Sequence, residues 1–273
     1  MAVVVSEDLV LSPPPEMVPL KNPRIGWQTW TEGLGVSAVD VSSGDLGDAP
    51  LRPDTFEWWR PGTMPATWRV DLGEPRAVDY VAIAGHTLGS EATSVQVEYS
   101  NDDSDWTAFG PDFIPAGDAA IMILAPEVTA RYWRLSISGG STPRIAVVYV
   151  GLVLAMPHPI YGGHSPAVLS RDTSVRPSTS EGGQFLGQRI IRRGYHGSAE
   201  FRHLPPSWYR DEFDPFVRSM RRRPYFFAWR PATYPTEIIY AKTDDDIQPQ
   251  NMGLGPGWMQ VSWSMIGLGN DAD

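Results

Sequence analysis

The chain has 273 residues, 42% of them hydrophobic, enough to bury one large core or two ordinary ones. Its 22 basic and 32 acidic side chains leave a net charge of −10, the wrong sign for tracking phosphate backbones, so no sequence-specific nucleic-acid partner is expected. The absence of cysteine excludes disulfides, thiolate metal sites and cysteine nucleophiles, and no apolar stretch approaches the roughly 20 residues of a membrane-spanning helix, so no membrane insertion is expected.

In chain order, residues 1–23 read as an extended N-terminal arm, because Pro13-Pro14-Pro15 and Pro19 block helix and Pro23 closes the segment. The start lacks a basic n-region and runs at once into Glu7 and Asp8, which argues against a secretory signal. From 24 to 155 the pattern is short strands separated by turns. In TWRVDL, Trp68, Val70 and Leu72 alternate with Arg69 and Asp71; in SVQVEYS, Val95, Val97 and Tyr99 share a face; in RYWRLSIS, Trp133, Leu135 and Ile137 do. The denser runs VDYVAIA, AAIMILA and IAVVYVGLVL suit strands buried on both faces. Residues 156–183, rich in Pro, Gly, Ser and Thr, read as a linker or long loop.

Beyond it, in 184–273, GQRIIRRG and GSAEFRH are candidate strands. Tyr209, Phe213, Phe216 and Met220 then recur at helical spacing over about 207–222, with Asp214-Pro215 placed as a second N-cap and first-turn proline. YFFAWR, TEIIYAK and WMQVSWSMIG complete this half as strands. The expected fold is mainly β: a β-sandwich followed by a second β-sandwich domain with one flanking helix. Charge is uneven, with −11 over residues 1–155 and +1 over the rest, as expected when one half meets solvent and the other meets subunits, although an ordinary solvated surface explains it too.

Trp59, Asp71-Leu72-Gly73, Ser100 with Trp106, and Tyr132-Trp133-Arg134 follow one another at a spacing that resembles the discoidin, or coagulation-factor type C, family over about 24–155. The resemblance implies an eight-stranded jelly-roll sandwich whose loops at one end bind carbohydrate, lipid headgroup or protein. No cysteine pair closes the ends, which fits a microbial or viral relative better than an extracellular animal one. NPRIGW, YVAIAGHTLG and the strand-helix-strand order of the second half are similar to tail proteins of long-tailed bacteriophages. That second resemblance, which rests on element order, implies a tail-tube-like domain of the distal-tail-protein kind, assembled as a sixfold ring.

Carbohydrate recognition needs an aromatic face for the sugar ring and planar polar groups for its hydroxyls. Trp58, Trp59 and Arg60 in a proline-rich loop, and His86 where a buried strand gives way to a loop, are the candidates. The competing reading is that one tryptophan of the pair packs inside the sandwich, as in the family. Arg192, Arg193, Arg221, Arg222 and Arg223 are candidates for a subunit interface, or for a lumen if a ring forms; a cation-capped helix end is the alternative. No two histidines lie at metal-ligand spacing, Gly163-His164-Ser165-Pro166-Ala167 lacks the closing glycine of a nucleophile elbow, and the acids at 101–105 and 244–246 lack a calcium-loop pattern. No catalytic residue, metal or cofactor is therefore expected.

The reading that joins these signals is a non-enzymatic structural protein of a phage tail tip, made in the host cytoplasm and carried in the virion. It would form a homo-oligomer, a hexameric ring, between a tail tube protein and a tail-tip hub protein, with a module for host cell-surface glycan. The alternatives are a carbohydrate-active enzyme or its binding module, and a soluble lectin.

Overall fold

The computed structural model describes residues 3–5, 19–243, 245–253, 255 and 257–268. The chain is mainly β, with a jelly-roll sandwich of the discoidin type and a second sheet beside it.

Two long strands, Ala66–His86 and Ile121–Ser138, run antiparallel through the sandwich. Their register shifts between Asp71 and Arg76 and again between Val78 and Tyr80. There Gly73 takes φ +81°, Asp71 Oδ1 accepts its N–H, and Arg131 grips Asp71 with two hydrogen bonds of 2.7 and 2.8 Å. The irregularity lets each strand serve two layers. In one, Trp68 lies opposite Leu135 and Val70 opposite Trp133, flanked by Val39–Val41 and Ser94–Ser100. In the other, Val81 lies opposite Ile123 and Ile83 opposite Ile121, flanked by Ile145–Gly151 and, in parallel, by Val3–Val5. The inward side chains of both layers share one buried cluster, as strict period-two alternation dictates. Most of the N-terminal segment expected as an arm lies outside the described residues, but Val3–Val5 docks on this chain's own sandwich.

The dense apolar runs are buried on both faces, as the sequence implied. Tyr80, Ala82, Ala84, Met122, Leu124, Ala146, Val147 and Tyr149 point away from the sandwich core and pack on Phe226, Ala228, Ile238 and Tyr240 of the second sheet. That sheet runs in the order Arg171–Thr179, Phe185–Leu204, Met259–Leu268, Ile238–Lys242, Tyr225–Ala228, Arg24–Gly26, Leu154–Ala155. Both ends of the first half, at 24–26 and 154–155, are therefore strands of the second sheet. Its far face carries the helix, which buries Phe213, Phe216 and Met220 against Trp263, Phe201 and Tyr225. The helical segment is one kinked unit: Pro206–Trp208, a wide turn at Tyr209–Phe213, then Asp214–Met220. Pro215 has no N–H for the carbonyl four residues back and its ring would clash there; the widened turn, with Asp214 N–H bonded to Tyr209 O, makes room.

Two readings need correction. The stretch 156–183 is not all linker, since Arg171–Thr179 is a strand that pairs with Phe185–Leu204. GQRIIRRG and GSAEFRH are one continuous 20-residue strand.

Candidate functional site

The Trp58-Trp59-Arg60 stretch is held extended by a two-way bridge between Trp59 and Ile145, with N···O distances of 2.9 and 3.0 Å. Alternation about that bridge decides which side chain goes where. Trp59 points inward, is 0% exposed, and spends its indole N–H on Ser43 O at 2.9 Å. It is core and offers no ring face to a ligand, which corrects its candidacy. Trp58 and Arg60 point outward; Trp58 is 38% exposed, with the Arg144 guanidinium 5.0 Å above its ring, and Arg60 Nε donates to Thr142 O and Oγ1 at 3.2 Å.

Around this surface five loops lock together at backbone level. Gly44, at φ +90°, lets residues 43–47 press on the 58–63 segment: a Cβ there would stand 2.0 Å from Arg60 O. Ser43 Oγ accepts the N–H groups of Gly62 and Thr63. Residues 139–144 are tied to 87–93 through Arg144 N–H to Thr87 Oγ1 at 2.9 Å and Thr93 Oγ1 to Ser141 O at 3.2 Å. Ser90 N–H binds Asp118 Oδ1 at 2.9 Å, which brings in the 117–119 turn.

His86 lies beneath this rim. Burial pushes its imidazole down to about 4, so it is neutral at physiological pH. Leu88 N–H donates to Nδ1, so Nε2 carries the proton and donates to Ala119 O at 2.8 Å. It is a strut fixing two loops and offers no exposed face to a ligand: His86 is the last residue of the Ala66–His86 strand, and the 117–119 turn closes over it. Arg144 and Thr142 went unnoticed in the sequence because only the antiparallel bridge brings them beside residues more than 80 positions earlier. Their one signal was the SGGSTPR turn ahead of an apolar strand.

The result is a part-exposed indole with the Arg144 guanidinium over one ring face, and the bonded pair Arg60–Thr142 on the same rim. Such a surface can stack on the apolar face of a sugar and donate to its hydroxyls or to a carboxylate. It has no acid pair in an apolar frame. Among the described residues no group of three or more His, Asp and Glu is placed to hold a metal ion.

A second hollow, about 390 Å³, opens between residues 53–56 and the second sheet, lined by Phe56, Tyr240, Lys242, Ile266 and Leu268. Its size is that of a small-molecule site. Phe56 is 70% exposed there, and Asp54 Oδ1 is buried without a hydrogen-bond partner.

The five arginines do not form one group. Arg192 and Arg193 lie on the Phe185–Leu204 strand, Arg192 paired with Asp172 at 2.5 Å. Arg221 and Arg222 follow the helix, Arg221 pairing with Asp246 at 2.8 Å. Arg223 is buried, ion-paired to Glu32 at 2.8 Å and set over the Tyr149 ring, so it joins the two sheets and is withheld from any lumen or partner. At the acidic turn, Asp102 Oδ1 accepts the N–H groups of Ser104 and Asp105 and the Ser100 hydroxyl, which holds its carboxyl far below the usual range. Asp244 lies outside the described residues.

No curated protein matches the chain. Among solved structures, a pectin-binding carbohydrate-binding module shares 18% identity over 42% of this chain and 89% of its own, with a TM-score of 0.37. A chitosan-binding module from the chitosanase/glucanase of Paenibacillus sp. IK-5 shares 17% over 45% of this chain and 98% of its own, with a TM-score of 0.39. A Ruminococcus gnavus GH29 fucosidase, solved with fucose, shares 21% over 45% of this chain and only 26% of its own, with a TM-score of 0.36. Likenesses at this level leave ligand and activity open. The sequence match is more definite: residues 44–135 fit the family model of the F5/F8 type C, NedA-like, galactose-binding domain, so the first sandwich is discoidin-like in sequence as well as in fold.

Proposed function

We propose that the chain is a carbohydrate-binding protein whose ligand meets the rim at Trp58, Arg60, Thr142 and Arg144, and that it binds glycan without cleaving it. The observation that carries this is a part-exposed indole with the Arg144 guanidinium over one ring face, and Arg60 two residues on bonded to Thr142, on a domain that matches a galactose-binding family model. Galactose-type sugars suit such a surface, because the apolar ring face covers the indole while equatorial and axial hydroxyls accept from the arginines. A glycan array on the full chain, repeated with Arg60→Ala and Arg144→Ala, tests it. Galactose-terminated glycans are expected to bind and each variant to weaken them by about tenfold or more, the worth of one charge-assisted hydrogen bond. No binding to any glycan, or cleavage of the printed glycan, overturns the reading.

The tail-tip reading adds a self-assembling second half to the same module. What favours it is a projecting, apolar and basic hairpin in that half. A sixfold ring, the virion location, and the neighbouring tube and hub proteins follow from it only if the chain assembles. A native mass of six copies supports it, and a strict monomer excludes it.

A further inference from the structure

We propose that the hairpin made by Arg171–Thr179 and the first half of Phe185–Leu204 is a self-association arm that docks on the acidic sandwich of a second copy of this chain. The inference stands apart from the glycan reading and uses none of its residues.

The hairpin leaves the body before it gains any core. From 173 to 179, and from 188 to 192, every residue is exposed on whichever face it points to. The body strand Met259–Leu268 joins only from Gly194 onward, so among the described residues the outer hairpin pairs with nothing but itself. A lone two-stranded ribbon is marginal in water. Yet this one exposes Val175, Phe185, Leu186, Ile190 and Ile191, a third of the exposed large hydrophobics among the described residues. Val175 and Ile190 are cross-strand neighbours, and Leu186 and Ile191 are the extra residues of the two bulges, pushed outward by the irregular register. An apolar concentration of this kind on a thin projection marks a contact surface.

Charge selects the partner. Residues 171–194 carry five arginines against Asp172 and Glu181, a net +3 in a chain of −10, so the remainder carries −13. Arg176 and Arg189 stand directly opposite each other across the ladder, a destabilising like-charge pair, and neither has an ion-pair partner among the described residues. Acidic groups from outside the hairpin would relieve that repulsion. The acidic counterpart on hand is the first half of another copy, whose described residues 19–155 carry 9 Lys/Arg against 17 Asp/Glu, a net −8. Pro177 removes one backbone donor from the edge strand, so docking uses the ribbon's faces and not strand addition.

Sedimentation velocity of the full chain, with far-UV circular dichroism as the folding control, tests this. The native chain is expected to associate, and Phe185→Ser with Ile191→Ser to return it to monomer with an unchanged spectrum, since the hairpin contributes no core. Arg176→Glu with Arg189→Glu is expected to weaken association at least tenfold, and raising salt from about 0.05 to about 0.5 M to weaken the native chain likewise. A native chain that stays monomeric, or an oligomer indifferent to both variant pairs, overturns the proposal; in the first case the arm serves some other protein.

Discussion

Asp79 and His86 show how buried titratable groups set the pH response of this molecule. Burial pushes the Asp79 carboxyl up to about 7, against the N–H of Val153 and the charge of Arg24, and Glu127 adds to the rise. An unfolded aspartate titrates near 3.9, so the native state holds this proton more tightly; the stability it confers is complete below about pH 4 and is lost as pH climbs through 7. His86 acts the opposite way. Its unfolded value is near 6.5 and its folded value about 4, so its contribution is complete above about 6.5 and is lost as pH falls toward 4. Over one window the two slopes oppose each other. Asp79→Asn keeps an acceptor for Val153 and removes one of them; its unfolding free energy in denaturant is expected to fall on acidification between pH 6.5 and 4, approaching ~1.4 kcal/mol per pH unit, while the native chain changes less. A flat variant profile would refute the assignment of His86 as buried and neutral. Gly44 offers a steric test at the same scale. Gly44→Ala places a Cβ against Arg60 O at positive φ and is expected to cost more than about 1 kcal/mol in thermal or denaturant unfolding. A neutral result would mean the 43–47 loop does not brace the rim.

At the scale of elements, what the sequence disclosed depended on whether one face of a strand is wet. TWRVDL, SVQVEYS and RYWRLSIS each have one dry face, and their alternation announced both strand and orientation. Arg171–Thr179 has two wet faces, so nothing alternates, and its Ser and Thr content mimics a loop; its strand character comes from pairing alone. The Tyr209, Phe213, Phe216 and Met220 spacing disclosed the helix, and Asp214-Pro215 its kink. At the rim, Trp58 and Arg60 were legible as an aromatic and a planar cation in a proline-rich loop, but no local signal separates an outward Trp58 from an inward Trp59; the bridge to Ile145 decides it. His86 looked like a loop residue because its burial comes from the 117–119 turn, distant in sequence.

For the molecule as a whole, the cluster between the sheets is the main structural fact. Tyr149 meets Phe226 edge-on at 5.3 Å, its hydroxyl donates to Pro224 O at 3.0 Å, and Arg24–Gly26 and Leu154–Ala155 stitch the sandwich into the second sheet. An excised first half would expose that apolar face. Calorimetry of the full chain is accordingly expected to show one cooperative transition, and two well-separated transitions would contradict a shared core. Binding studies belong on the full chain for the same reason. The most direct test of the central claim is titration calorimetry of the full chain with a galactose-terminated oligosaccharide, comparing native protein with Trp58→Ala and Phe56→Ala. Loss of the stacked indole is expected to weaken binding by roughly tenfold or more, with Phe56→Ala unchanged. Full affinity in Trp58→Ala, with loss confined to Phe56→Ala, would move the site to the cleft between the sheets and contradict the rim.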